Sequence, residues 1–182
     1  MSAWQEVTWD AARAGGLTAF GLLTLSVVAG MLASLKVSSG RWPRFLTAEV
    51  HNFLTLLALV FVGLHVAAVA VDPFTRFGLA DVLVPLAGPY RPVWMALGIV
   101  ALYLGIAVWV STLLRRRIGY GRWRRFHAVT FLVFAAALVH GLAAGTDTRT
   151  AWAGGVYAVA AALVTGLLVV RLLRTAGGRP RP

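Results

Sequence analysis

Five long apolar runs dominate the chain, each bounded by short polar stretches. They lie at about residues 14–35, 45–71, 92–114, 123–144 and 151–173. At about 1.5 Å per residue, a helix of that length crosses a hydrocarbon core of roughly 30 Å. The pattern predicts an all-α protein, an integral membrane helical bundle of five transmembrane helices. The polar stretches differ in kind. Residues 36–44 form a turn rich in Ser, Gly and Pro. Residues 72–90 form a longer loop with Pro73, Pro85 and Pro89, apolar enough to lie against the membrane or cap the bundle. Residues 115–125 are rich in arginine, and GTDTRT is a short turn. The runs divide the chain into an N-terminal interfacial segment (1–13), a membrane domain (14–173) and a tail expected to be disordered (174–182). Trp4 and Trp9 place the first segment at the membrane boundary, which Trp prefers.

Composition removes several alternatives. Of 182 residues, 59% are hydrophobic and the mean hydropathy is +0.80, too apolar for a soluble domain of this size. There is no cysteine, which excludes disulfides, thiolate metal sites and Cys-attached haem. The net charge of +11 does not point to nucleic acid, because the arginines cluster between apolar runs. The first residues lack the basic start of a secretory signal, and the first apolar run is too long for one.

Charge also sets an orientation. The 36–46 loop, the 115–125 loop and the C-terminal end from Arg171 onward fall on one side and carry thirteen of the seventeen Lys and Arg residues. The other side has only Arg13, Arg76, Arg91 and Arg149, mixed with Glu6, Asp10, Asp72, Asp81 and Asp147. The positive-inside rule then predicts the N-terminus outside and the C-terminus in the cytoplasm, with the protein multi-pass in a cell membrane, the bacterial inner membrane.

The candidate chemistry is in four histidines, the only ones present. His51 and His65 lie on the second span, His127 and His140 on the fourth. An ionisable side chain at membrane depth marks a functional site by default. Both spans run the same way, so His51 and His127 fall near the cytoplasmic edge and His65 and His140 nearer the outer edge. Roughly 20 Å of helix rise separates the two levels. Two imidazoles facing each other can ligate an iron porphyrin from both faces, an apolar plate suited to this depth. With both axial positions filled, the expected chemistry is electron transfer. Gly63, Ala67, Ala68, Ala136, Ala137 and Gly141 flank the outer histidines and leave room for a ring edge. The glycines of spans one, three and five read as helix-packing positions rather than cofactor contacts. Glu49 reads as interfacial. The six-arginine loop is first of all a topology determinant, but Arg122, Trp123 and Arg125 are candidate partners for propionates of the inner haem. Arg91, with Tyr90, is the equivalent for the outer haem. One feature is irregular. Fourteen positions return a helix to within about 40° of the starting face, whereas thirteen, the spacing of His127 and His140, miss by about 140°. The fourth helix is therefore bent or locally rewound, or the two haems lie at different azimuths.

These residues resemble the ferric reductase-like transmembrane domain, shared by ferric-chelate reductases, NADPH oxidases and bacterial relatives. The resemblance rests on His51 and His65 on one helix, His127 and His140 two helices later, and the basic loop between. WRRFH, HGLAAGTD and the FGLADVLVPLAGPYRP loop are similar to the bacterial branch. It implies two b-type haems, the inner held by His51 and His127 and the outer by His65 and His140, with electrons passing outward. No Gly-rich dinucleotide fingerprint is present, so the expected electron donor is a separate cytoplasmic flavin reductase or quinol. The expected acceptor is a ferric chelate or a periplasmic protein. One alternative is the haem-binding membrane subunit of a periplasmic reductase system. Another, of a different class, is a non-redox small transporter or assembly factor. Membrane lipid is the one partner common to all of these, and nucleic acid is a partner in none.

Overall fold

A computed structural model describes residues 3–39, 42–73 and 77–177. Among the described residues, eight α-helices run in chain order: α1 (Ala3–Ser34), α2 (Arg44–Val71), α3 (Leu79–Leu83), α4 (Pro92–Leu113), α5 (Arg115–Ile118), α6 (Tyr120–His127), α7 (Thr130–Ala144) and α8 (Ala151–Gly177). A 3₁₀ turn, Asp147–Arg149, lies between α7 and α8. Five stretches are long and apolar enough to cross a membrane: α1, α2, α4, α6 with α7, and α8.

The helix ends follow local chemistry. α1 stops in a Schellman turn, where Val37 N–H bonds Leu32 O and Lys36 N–H bonds Ala33 O, with Lys36 at φ 59°. Pro43 precedes α2, and Pro92 occupies the first position of α4, where its missing N–H is harmless. Gly119, at φ 87°, turns the chain between α5 and α6, a conformation that a side chain would strain.

α1 is longer than the apolar run. Its 32 residues span about 48 Å, well beyond a bilayer core. The segment expected to lie separately at the membrane surface is thus the first three turns of a continuous helix. Thr8, in those turns, donates a 2.8 Å hydrogen bond to Asp72 at the end of α2, and both residues are buried. α8 likewise runs on to Gly177. Residues 178–182, the rest of the tail expected to be disordered, lie outside the described residues, as do Arg41 and Arg76.

Two antiparallel helix pairs frame the molecule. α1 packs along α2, and α4 packs along α7, while α8 leans on α1 and α7. The apolar core sits where α1, α7 and α8 meet. Phe20, Val27, Met31, Phe134, Tyr157, Ala160 and Val164 are buried there, with Phe20 stacked 5.7 Å from Phe134 and 4.8 Å from Tyr157. α2 buries only Thr47 and Ala58. The centre of the bundle is not filled by side chains. A cavity of about 1420 Å³ lies there. The 72–90 loop caps one end of it, through Asp72, Phe77, Val82, Pro89 and Tyr90.

Candidate functional site

All four histidines line this one cavity. The structure brings them together in two pairs. The ring centres of His51 and His127 are 6.1 Å apart with planes at 80°. Those of His65 and His140 are 6.4 Å apart at 72°. A metal–imidazole bond is about 2 Å, so two imidazoles on opposite sides of one metal ion stand about 6.3 Å apart, centre to centre. Both pairs match that separation. Among the described residues, no three of His, Cys, Asp and Glu gather around a point. A metal held here needs a cofactor that brings its own equatorial ligands, as a porphyrin does. The cavity also exceeds the roughly 300–1,000 Å³ of a site for one small ligand.

The neighbouring helices hold the rings from behind. His51 Nδ1 is 2.9 Å from the Ser26 carbonyl, His65 Nδ1 2.8 Å from that of Ala12, and His140 Nδ1 2.9 Å from that of Trp94. A carbonyl only accepts, so each Nδ1 carries the proton and each Nε2 keeps a bare lone pair, the state a metal ligand requires. The close approach depends on glycine. A Cβ on Gly30 would sit 3.2 Å from the His51 ring, one on Gly16 2.9 Å from His65 and one on Gly98 2.8 Å from His140. In each case the glycine is four residues after the bonding carbonyl. Gly16, Gly30 and Gly98 thus seat the histidines, which corrects their reading as packing positions. A signal was present in the sequence: Gly16 and Gly30 are spaced by fourteen residues, like His51 and His65. By contrast, Gly63 faces open space, and Gly141 makes room for the Tyr157 hydroxyl.

His51 is held further. Its Nδ1 also lies 3.2 Å from Ser26 Oγ, which is 2.7 Å from Thr55 Oγ1, and the Thr55 hydroxyl donates to the His51 carbonyl at 2.8 Å. His127 differs from the other three. Its buried Nδ1 has no hydrogen-bond partner among the described residues. Its ring instead lies 5.0 Å from that of Trp123.

The irregular spacing on the fourth span is resolved by local rewinding. The helix breaks between α6 and α7. Ala128, Val129, Phe131 and Leu132 all donate to the carbonyl three residues back. Such 3₁₀ winding turns about 120° per residue instead of 100° and rises about 2.0 Å instead of 1.5 Å. A handful of such residues recovers most of the missing rotation, so thirteen positions do the work of fourteen.

Arg91, Arg122 and Arg125 do not line the cavity, whereas Arg13, Lys36, Arg115, Arg124 and Arg171 do. Arg91 bonds the Ala143 carbonyl and lies over the Tyr90 ring. Arg13 is clamped by Asp147, with Nε 2.8 Å from Oδ2, and bonds Asp10 at 3.2 Å. Glu49 lines the cavity as well. Asp147 lies in the turn after α7, and its hydrogen bond from Arg13 holds its carboxyl below the usual carboxylate range.

The family described as "Ferric reductase like transmembrane component" matches residues 15–138, which include His51, His65 and His127 and end two residues before His140. No curated protein and no solved structure matches the chain.

Proposed function

Because the chain belongs to the ferric reductase like transmembrane component family, which supports a role in membrane electron transfer, we propose that it works as a di-haem conduit. His51 and His127 hold one b-type haem at the arginine-rich end. His65 and His140 hold a second at the end capped by the 72–90 loop. The observation that carries this reading is the pair of imidazole separations, 6.1 and 6.4 Å, across one shared cavity. A haem with imidazole on both faces supplies one-electron transfer at the iron.

The chain's own residues supply the rest. The carbonyls of Ser26, Ala12 and Trp94 fix the tautomer of three histidines and aim the bare nitrogen at the gap. The apolar walls keep water from the rings. Arg115, Arg124 and Lys36 give one cavity end a positive charge suited to propionates. Electrons enter on the arginine-rich, cytoplasmic side from a separate flavin reductase or from quinol. They leave on the outer side to a ferric chelate or a periplasmic protein. The membrane is a cell membrane, with the N-terminus outside.

The test is the absorption spectrum of the detergent-purified protein, oxidised and dithionite-reduced, with haem quantified per chain. Two b-type haems per chain support the reading. A colourless protein from haem-replete cells would sink it and favour a non-redox transporter or assembly factor.

A further inference from the structure

The four histidine seats follow one register, and one seat departs from it. On α1 the bonding carbonyls are Ala12 and Ser26, and the glycines four residues on are Gly16 and Gly30. Both steps are fourteen residues. On α4 the outer seat is Trp94 with Gly98. Fourteen residues further, the inner seat would be Val108 with position 112. Position 112 is threonine, and the Val108 carbonyl already accepts hydrogen bonds from Ser111 Oγ at 2.7 Å and Thr112 Oγ1 at 3.0 Å. Thr112 also accepts from Trp123 Nε1 at 3.2 Å. The threonine fills the place where the ring would rest, and the carbonyl that would take its proton is occupied. This accounts for the unpartnered Nδ1 of His127. His127 is also the last residue of two-turn α6, next to the 3₁₀ break. Its counterpart His51 has the most elaborate support of the four.

We propose that His127 is a displaceable ligand, so that the haem site at the arginine-rich end binds small diatomic ligands while the His65–His140 site does not. The inference rests on the di-haem reading. Losing the hydrogen bond behind a metal-bound histidine weakens its hold roughly 10- to 100-fold. An incoming carbon monoxide then replaces one neutral two-electron donor, the His127 imidazole, with another. No electron or proton is transferred, and His51 retains the haem.

The experiment is titration of the dithionite-reduced, detergent-purified full chain with carbon monoxide, followed by absorption. One haem of the two shifts to the carbonyl form. His127→Ala keeps two haems and the same carbon monoxide stoichiometry, because His51 still holds the site. His51→Ala loses the responsive haem. Ser111→Ala combined with Thr112→Gly frees the Val108 carbonyl and clears the seat, and lowers carbon monoxide affinity roughly 10- to 100-fold. Two haems per chain with neither responding, or both responding, would overturn the proposal while leaving the di-haem reading intact. A responsive haem that survives in His51→Ala would overturn it too. Absence of haem from the wild-type chain would overturn both readings together.

Discussion

An imidazole whose Nδ1 proton is committed to a carbonyl has one nitrogen left, and its direction is set by whatever lies behind the ring. For His65 and His140 that backing is glycine, within 2.9 and 2.8 Å of where a Cβ would stand. Gly16→Ala or Gly98→Ala therefore pushes the ring into the cavity. Each is expected to lower the haem content of the purified protein towards one per chain, while Gly21→Ala, where a Cβ meets nothing, leaves it unchanged. The histidines were legible in the sequence because a titratable group in an apolar run stands out. Their seats were not, because a backbone carbonyl has no sequence signature and glycines in membrane helices most often serve packing. On α6, successive residues point about 100° apart, so Tyr120, Trp123, Arg124 and His127 line the cavity while Arg122 and Arg125 do not.

At the level of elements, all five spans could be read from apolar run length alone. The break between α6 and α7 was legible only indirectly, as one of two readings of the thirteen-residue histidine spacing, since Ala128 and Val129 are neither proline nor glycine. Its effect is to let His127 and His140 face two partners fourteen residues apart on α2, and within it Thr130 Oγ1 donates to the His127 carbonyl at 2.7 Å. The tightened turn holds slack that a regular helix lacks. One alanine inserted after Ala128, with Thr130→Ala, is expected to let the segment relax to ordinary α-winding and keep both haems. The same insertion after Leu57 on α2 has nothing to relax, and rotates His65 by about 100° away from His140. Haem per chain measured on the two insertions separates these outcomes.

For the whole molecule, the arginine-rich loops share one end with His51 and His127. An alkaline phosphatase fusion after Gly177 is expected to be inactive and a fluorescent protein fusion there to be bright, if that end faces the cytoplasm. At the opposite end the Arg13–Asp147 pair ties the start of α1 to the turn after α7. Asp147 is held below its ordinary 3.8, so its contribution is complete above that value and is lost as pH falls through the lower folded value. The pair is partly exposed and contributes about 1 kcal/mol or less. Asp147→Asn should therefore lower thermal stability in detergent slightly at pH 7, and the difference from wild type should start to shrink below pH 3.8 and vanish only once the pH is below the lower folded value.

The two seats on α1 and the one on α4 share a single layout. In each half an incoming helix offers carbonyl and glycine, and the returning helix offers two histidines. Position numbers of partners even sum alike, since Ala12 meets His65 as Ser26 meets His51. The chain then reads as one hairpin written twice and folded face to face. Its first copy keeps both seats. The second departs from that layout at a single level, with thirteen residues for fourteen, threonine for glycine and a break in the helix, all gathered around His127.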